Sequence, residues 1–315
     1  MKGKTSFLSG SGHRALVFMS IFAILALLLF SCAQMGSTMQ GVAALGQQLG
    51  FLNEEQANIL QKSGVAADAW GKAFEDITPE QEYYIGRSVG ANILARYSLQ
   101  PSRQELAAYV NKVCNALIIN SARPEIFNGY HANILDTDEI NAFATPGGHI
   151  FLTRGLVNSA TSEDTLAAVI AHEIAHIQLQ HGLKSIKNSR RTQAVLLSVD
   201  AGASAASGDI SEAVGSFSES INDMVTTMVT NGYSRTQEYE ADSVAMSLLA
   251  LAGYQPSSLL DMLKLLETTQ KQHPGGFNNT HPTPAQRIEN ANKTVKNYSV
   301  EDTRSYREAR FKAVN

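Results

Sequence analysis

Ala171-His172-Glu173-Ile174-Ala175-His176 decides how the rest of this chain is read. It continues the run Leu166-Ala167-Ala168-Val169-Ile170, which holds no Gly or Pro and predicts a buried helix. A helix turns about 100° and rises about 1.5 Å per residue, so His172 and His176 share a face about 6 Å apart. Two imidazoles at that spacing can close on one Zn²⁺ at about 2.0–2.1 Å each. Glu173 is rotated one step off that face, where it can reach a water on the metal without taking a ligand position. H-E-x-x-H is therefore two ligands plus a general base. The plain alternative is a pair of hydrogen-bonded core histidines. Polar side chains in so apolar a helix are costly to bury unless something binds them.

The chain has 315 residues, 44% hydrophobic and 17% charged, enough for one catalytic domain with appendages. Its formal charge is −4, and removing Lys2, Lys4 and Arg14 with the first 31 residues takes it to −7. An acidic body without a basic stripe argues against nucleic acid as a partner. Those three cations precede a 16-residue run without a charge, Ala15 to Phe30. That is short for a membrane span and suits a signal peptide. Leu29-Phe30-Ser31-Cys32 then resembles the bacterial lipobox, although Phe30 is unusual there. It implies cleavage before Cys32 and lipidation of its thiol, and Ala33 in place of Asp points to the outer membrane, facing the periplasm. With Cys32 acylated, Cys114 has no disulfide partner and reads as a buried structural thiol.

Four segments are expected: a signal peptide at 1–31, a tether with short helices at 32–77, a domain carrying the zinc motif at 78–292, and a charged helical tail at 293–315. Thr78-Pro79-Glu80-Gln81 opens the domain with an N-cap, Pro at N1 and a capping-box Gln. Pro101 to Ile118 repeats a helical apolar stripe. Tyr130–Leu135 and His149–Thr153 read as strands. The Pro146-Gly147-Gly148 between them marks either a hairpin turn or a close backbone approach. The metal helix starts near Ser162 and is expected to stop at Gly182. Residues 183–232 read as helices with a flexible break, either a lid or a solvated connector, and a second strong helix runs from about Thr236 to Leu251.

A catalytic zinc wants a third protein ligand and one open position. His181 is nearest in sequence, but it falls one residue short of the H-E-x-x-H-x-x-G-x-x-H register, which turns its side chain about 100° away. It reads instead as a helix C-terminal histidine. Glu238 and Asp242, i and i+4 on the second helix, offer a ligand and a partner for a ligand's other ring nitrogen. A solvated acidic face explains the same spacing.

Asn141-Ala142-Phe143, Pro146 to Phe151, Ser162-Glu163-Asp164 leading into the zinc motif, Tyr233-Ser234-Arg235 with Glu238 to Asp242, and His281-Pro282 with Arg287-Ile288 occur in this order. Together they resemble the gluzincin-type zinc metallopeptidases that include HtpX, the CAAX prenyl endopeptidases and mitochondrial Oma. The soluble periplasmic branch of BepA and LoiP is the nearest in pattern. The resemblance covers roughly Glu82 to Asn290. It implies one Zn²⁺ held by His172, His176 and Glu238, with Glu173 as general base, Asp242 in support, and Glu240 as ligand only if the helix is rotated. It implies a mainly α (α+β) fold with a small mixed sheet whose edge strand, His149-Ile150-Phe151-Leu152-Thr153, lies over the zinc and takes an extended peptide by β-augmentation. His281 can then fill the open zinc position as a self-inhibiting ligand, and Arg287 can steady the fold or substrate carbonyls. Helix capping by the His-Pro pair is the plain option.

These implications converge on an envelope endopeptidase that cleaves unfolded or misassembled envelope proteins, working beside the envelope assembly machinery. The alternative is a periplasmic chaperone or assembly factor whose zinc is structural or plugged. After residue 31 no run is long and apolar enough to span a bilayer, which argues against a lipid-buried prenyl substrate.

Overall fold

The computed structural model describes residues 32–207, 226, 232–272, 280–281 and 284–314. The signal-peptide stretch and most of 208–231 lie outside the described residues. The chain divides into two compact units.

One unit draws on Met1–Glu75 and Asn188–Gly215. Where the sequence predicts short helices, α1 (Cys32–Gln48) and α2 (Glu54–Phe74) are long and form a hairpin. Asn53 starts α2 with a capping box, its Oδ1 accepting the Gln56 N–H while Gln56 Oε1 accepts the Asn53 N–H. Gln40 donates to Asp68 across the pair at 3.0 Å. Trp70 stacks on Phe74 and donates its indole N–H to Ser198 Oγ at 2.9 Å.

The other unit, from Asp76–Lys187 and Ser216–Asn315, is organised round the metal helix. In chain order it contains α3 (Pro79–Leu94), α4 (Gln104–Ile118), β1 (His131–Leu135), β2 (Ala142–Ala144), β3 (His149–Thr153), α5 (Arg154–Ser159) and α6 (Glu163–Gln178). The start of α7 (His181–Ser207), then α8 (Arg235–Leu251), α9 (Ser258–Gln272), α10 (Pro284–Thr294) and α11 (Arg304–Val314) complete it. Thr78 caps α3 with the expected box, and Ser162 Oγ accepts the Thr165 N–H at the head of α6. Every residue of α6 from Glu163 to Ile177 is buried, as an all-round apolar helix requires. Leu106, Val110 and Leu117 of α4, Met246 and Leu249 of α8, Leu263 and Leu266 of α9, and Phe311 of α11 join its apolar side chains in one core. Cys114 lies in that core, burial pushing its thiol up to about 12, which fits a structural role.

The sheet is mixed and three-stranded, in the order β1-β3-β2. β1 pairs with β3 in parallel and β2 pairs with it antiparallel. His149–Thr153 is therefore the central strand, which corrects its assignment as the edge. The cause is β2, three residues that fold back along β3 and cover the side expected to be free. The chain turns between them through Pro146-Gly147-Gly148, with φ of +69° at Gly147 and +93° at Gly148. This is both a hairpin and a close approach. A Cβ on Gly86 of α3 would sit 1.6 Å from the Pro146 carbonyl oxygen, so only glycine lets the turn lie on that helix. Buried Glu82 accepts the Gly147 N–H at 3.3 Å and pairs with Arg123 at 2.7 Å.

The charged C-terminal segment is a helix docked on the head of α6. Arg307 grips Asp164 through Nε and Nη2 at 2.6 and 2.9 Å, and Arg310, Tyr109 and Tyr254 all hydrogen-bond Glu163.

Candidate metal centre

His172 and His176 stand one turn apart on α6, their Nε2 atoms 3.1 Å from each other. Glu238, in the first turn of α8, brings Oε2 to 3.4 Å from His172 Nε2 and Oε1 to 3.5 Å from His176 Nε2. α8 begins at a capping box on Ser234, which fixes where its first turn points. His281 Nδ1 lies 3.2 Å from His172 Nε2 and 3.1 Å from Glu238 Oε1. One donor atom from each of the four residues falls within 4.8 Å of the other three. Bonds of about 2.0–2.1 Å in a tetrahedron put donors about 3.3–3.4 Å apart, so this donor set fits a zinc ion. The four residues are at most 2% exposed.

Around the donors, Asp242 Oδ1 faces His172 Nδ1 at 3.1 Å. Arg287, fully buried on α10, donates to Asp242 through Nε at 2.9 Å and Nη2 at 2.6 Å, and its Nη1 pairs with Glu238 Oε2 at 2.8 Å. Tyr233 lays its ring on His176 at 4.2 Å and 18°, and among the described residues its buried hydroxyl finds no hydrogen-bond partner. Glu173 is 1% exposed; among the described residues its Oε1 also has no hydrogen-bond partner, and it lies 3.5 Å from His281 Nε2. An orphaned buried carboxylate oxygen is costly unless a ligand serves it.

The electrostatics fit a divalent cation. Glu173, Glu238 and Asp242 set three carboxylates against the Arg287 guanidinium. Burial pushes Glu238 up, but His281 and Arg287 outweigh it and hold the carboxyl well below its usual range. Asp242 is held low by Arg287 in the same way. Burial raises Glu173 and drives His176 well down, so His176 is neutral and has a lone pair to give. Burial and Arg287 push His172 down, yet its bonds to Asp242 and Glu238 carry it up to about 9. A divalent ion bound among these groups would balance the excess negative charge of the three carboxylates over the one guanidinium.

The structure thus brings His172, Glu173, His176, Glu238, Asp242, His281 and Arg287 into one buried cluster. His149 lies apart from the donors, stacked on His131 at 5.8 Å, while Ile150, Phe151 and Leu152 are core residues. Thr153 caps α5. Glu240 is not among the donors. His181 is not a C-terminal histidine of α6: that helix ends at Gln178, and Gln180, at φ +55°, turns the chain into α7. Its Nδ1 sits 2.8 Å from His176 Nδ1. Sequence reasoning missed this contact and the Tyr233 platform; the signal for the first was a histidine five residues past a ligand.

Residues 104–295 match the model of peptidase family M48. The chain belongs to that family. Residues 104–295 are accordingly a metalloprotease domain, and the match ends before α11. Among curated proteins the chain is similar to the mitochondrial metalloendopeptidase OMA1 of Schizosaccharomyces pombe, 25% identical over 221 residues. It is 29% identical over 197 residues to the metalloprotease LoiP of Escherichia coli K12. The beta-barrel assembly-enhancing protease of the same strain is 25% identical over 217 residues. These alignments take in 69%, 62% and 67% of this chain, and 62%, 73% and 42% of the three relatives. The M48 membership bears out the resemblance carried by the ordered motifs.

Proposed function

We propose that this chain is a zinc endopeptidase of the bacterial envelope whose resting site is closed by His281. The observation that carries the reading is the buried four-donor cluster, one donor atom from each residue within 4.8 Å of the others, beside the Glu173 carboxylate. His172, His176 and Glu238 hold the metal, which when bound supplies Lewis acidity to the reacting carbonyl. Glu173 takes the proton of the attacking water and hands it to the leaving amine. Burial raises its pKa, which makes it a better proton acceptor than an exposed carboxylate. Asp242 fixes His172 through Nδ1, and Arg287 holds Asp242 and Glu238 in place.

A peptide needs the fourth position, so His281 must leave it. The backbone there is tethered by the Tyr233 N–H to the Thr280 carbonyl at 3.2 Å and by the Thr280 hydroxyl to Asn141 Oδ1 at 3.2 Å. Asn141 precedes β2, an outer strand of the sheet, and we assign β-augmentation by an extended substrate to β2 in place of β3. Recognition through backbone suits unfolded or misassembled envelope proteins. Similarity to a beta-barrel assembly-enhancing protease favours substrates or partners in envelope assembly. Anchoring by lipid on Cys32, with an outer-membrane address, rests on the Leu29-Phe30-Ser31-Cys32 stretch. An intact, unacylated Met1 terminus by mass spectrometry refutes it.

The closed donor set also favours a second reading, an assembly factor with a structural zinc, because structural sites are four-coordinate and closed. Casein cleavage separates the two. The endopeptidase reading expects His281→Ala to cleave faster than wild type, and Glu173→Gln to keep its zinc while losing about 10²–10⁴-fold in rate. Glu173→Gln rescuing a deletion strain as well as wild type favours the assembly factor.

A further inference from the structure

The two histidine ligands are oriented by different means. His172 meets a carboxylate directly, through Asp242. His176 meets another imidazole: its Nδ1 is 2.8 Å from Nδ1 of His181, which is fully buried. His181 Nε2 in turn lies 3.2 Å from Glu240 Oε2, whose side chain is 48% exposed. We propose that His181 and Glu240 are positioning residues that set the tautomer and plane of the metal ligand His176. The inference rests on the metal-site reading above.

The proton positions follow from the distances. Two ring nitrogens at 2.8 Å share one proton, since two protons collide and two lone pairs repel. His176 Nε2 faces the donor cluster, 3.1 Å from His172 Nε2, so as a ligand it presents its lone pair and carries its proton on Nδ1. His176 Nδ1–H therefore donates to His181 Nδ1. A neutral His181 then carries its proton on Nε2, where Glu240 accepts it. Each tautomer is determined by its neighbour, and a carboxylate at the end of the series raises the electron density that His176 offers the metal.

The local fold exists to make this contact. On an unbroken helix, residues five apart point about 140° apart and do not meet. The left-handed backbone at Gln180 ends α6 and returns His181 onto His176. Glu240 comes from α8, two residues after the ligand Glu238, so one helix supplies both a donor and the end of the relay. Tyr233 stacks on His176 at 4.2 Å and stands 5.8 Å from His181, which closes the face the relay leaves open.

The test is zinc affinity by competition with a chromophoric chelator, joined to ¹⁵N NMR of histidine-labelled, zinc-loaded wild type. His181→Phe fills the space without an acceptor and should weaken zinc by about 10–100-fold. His181→Asn, which can accept from His176 and donate onward, should recover most of that loss. Glu240→Ala should weaken zinc less than His181→Phe, because water reaches its position. In wild type, the spectra should show His176 protonated on Nδ1 and His181 on Nε2. Zinc held equally by wild type and His181→Phe, or His181 protonated on Nδ1, overturns the relay and leaves the metal site standing. Wild type that takes up no zinc overturns both.

Discussion

Replacing Arg287 with leucine removes the guanidinium that faces both Asp242 and Glu238. Three of its nitrogens lie 2.6–2.9 Å from carboxylate oxygens, and all three side chains are fully buried, so no solvent screens the pairs. Deleting one partner of a buried pair leaves an uncompensated charge and costs about 3–5 kcal/mol. For a domain of this size each kcal/mol moves Tm by roughly 2–4 °C. Metal-free Arg287→Leu should therefore melt about 6–20 °C below wild type. The pH dependence carries a second signature. Glu238 and Asp242 have depressed folded pKa values, so the stability they contribute is complete above their unfolded values of about 4. It is lost as pH falls through the folded values. The gap between variant and wild type should be widest at neutral pH and close in acid. Arg287→Lys should recover little, because an ammonium cannot grip Asp242 through two nitrogens. Differential scanning fluorimetry from pH 3 to 8 reads all of this. A metal-free Arg287→Leu that melts within about 2 °C of wild type at neutral pH refutes the reasoning.

Arg307→Leu leaves Asp164 buried without its guanidinium and should cost about 3–5 kcal/mol in urea unfolding, although it lies beyond the matched family region. Burial pushes Glu163 up, but Arg310 and two tyrosine hydroxyls leave its carboxyl below the usual range. Its stability is thus present above about pH 4.3 and lost as pH falls further; Glu163→Gln should be less stable than wild type at pH 7 and converge with it in acid. Gly86→Ala drives a methyl into the Pro146 carbonyl and should cost at least about 1–3 kcal/mol by the same urea assay.

What the sequence made legible follows the reach of its periodicities. His172, Glu173 and His176 lie within one helical turn, so their geometry could be worked out from spacing alone. Glu238 and His281 arrive from distant segments, and only the ordered motifs tied them to the zinc helix. The expected end of α6 at Gly182 lies four residues past its end at Gln178, because a non-glycine, Gln180, takes the left-handed conformation, and that shift hid the His176–His181 contact. β2 is three residues long, too short for alternation to register, so nothing in the periodicity opposes the edge position that the resemblance implies for β3. Residues 293–315 read as a charged helical tail because charge suggests solvent, whereas Arg307, in the helix Arg304–Val314, is buried against Asp164.

The most direct test is anomalous diffraction at the zinc edge on the zinc-loaded protein. One ion is expected, with His172 Nε2, His176 Nε2 and a Glu238 carboxylate oxygen each about 2.0–2.1 Å away. An ion elsewhere, or one bound to the two histidines with Glu238 turned away from it, contradicts the account.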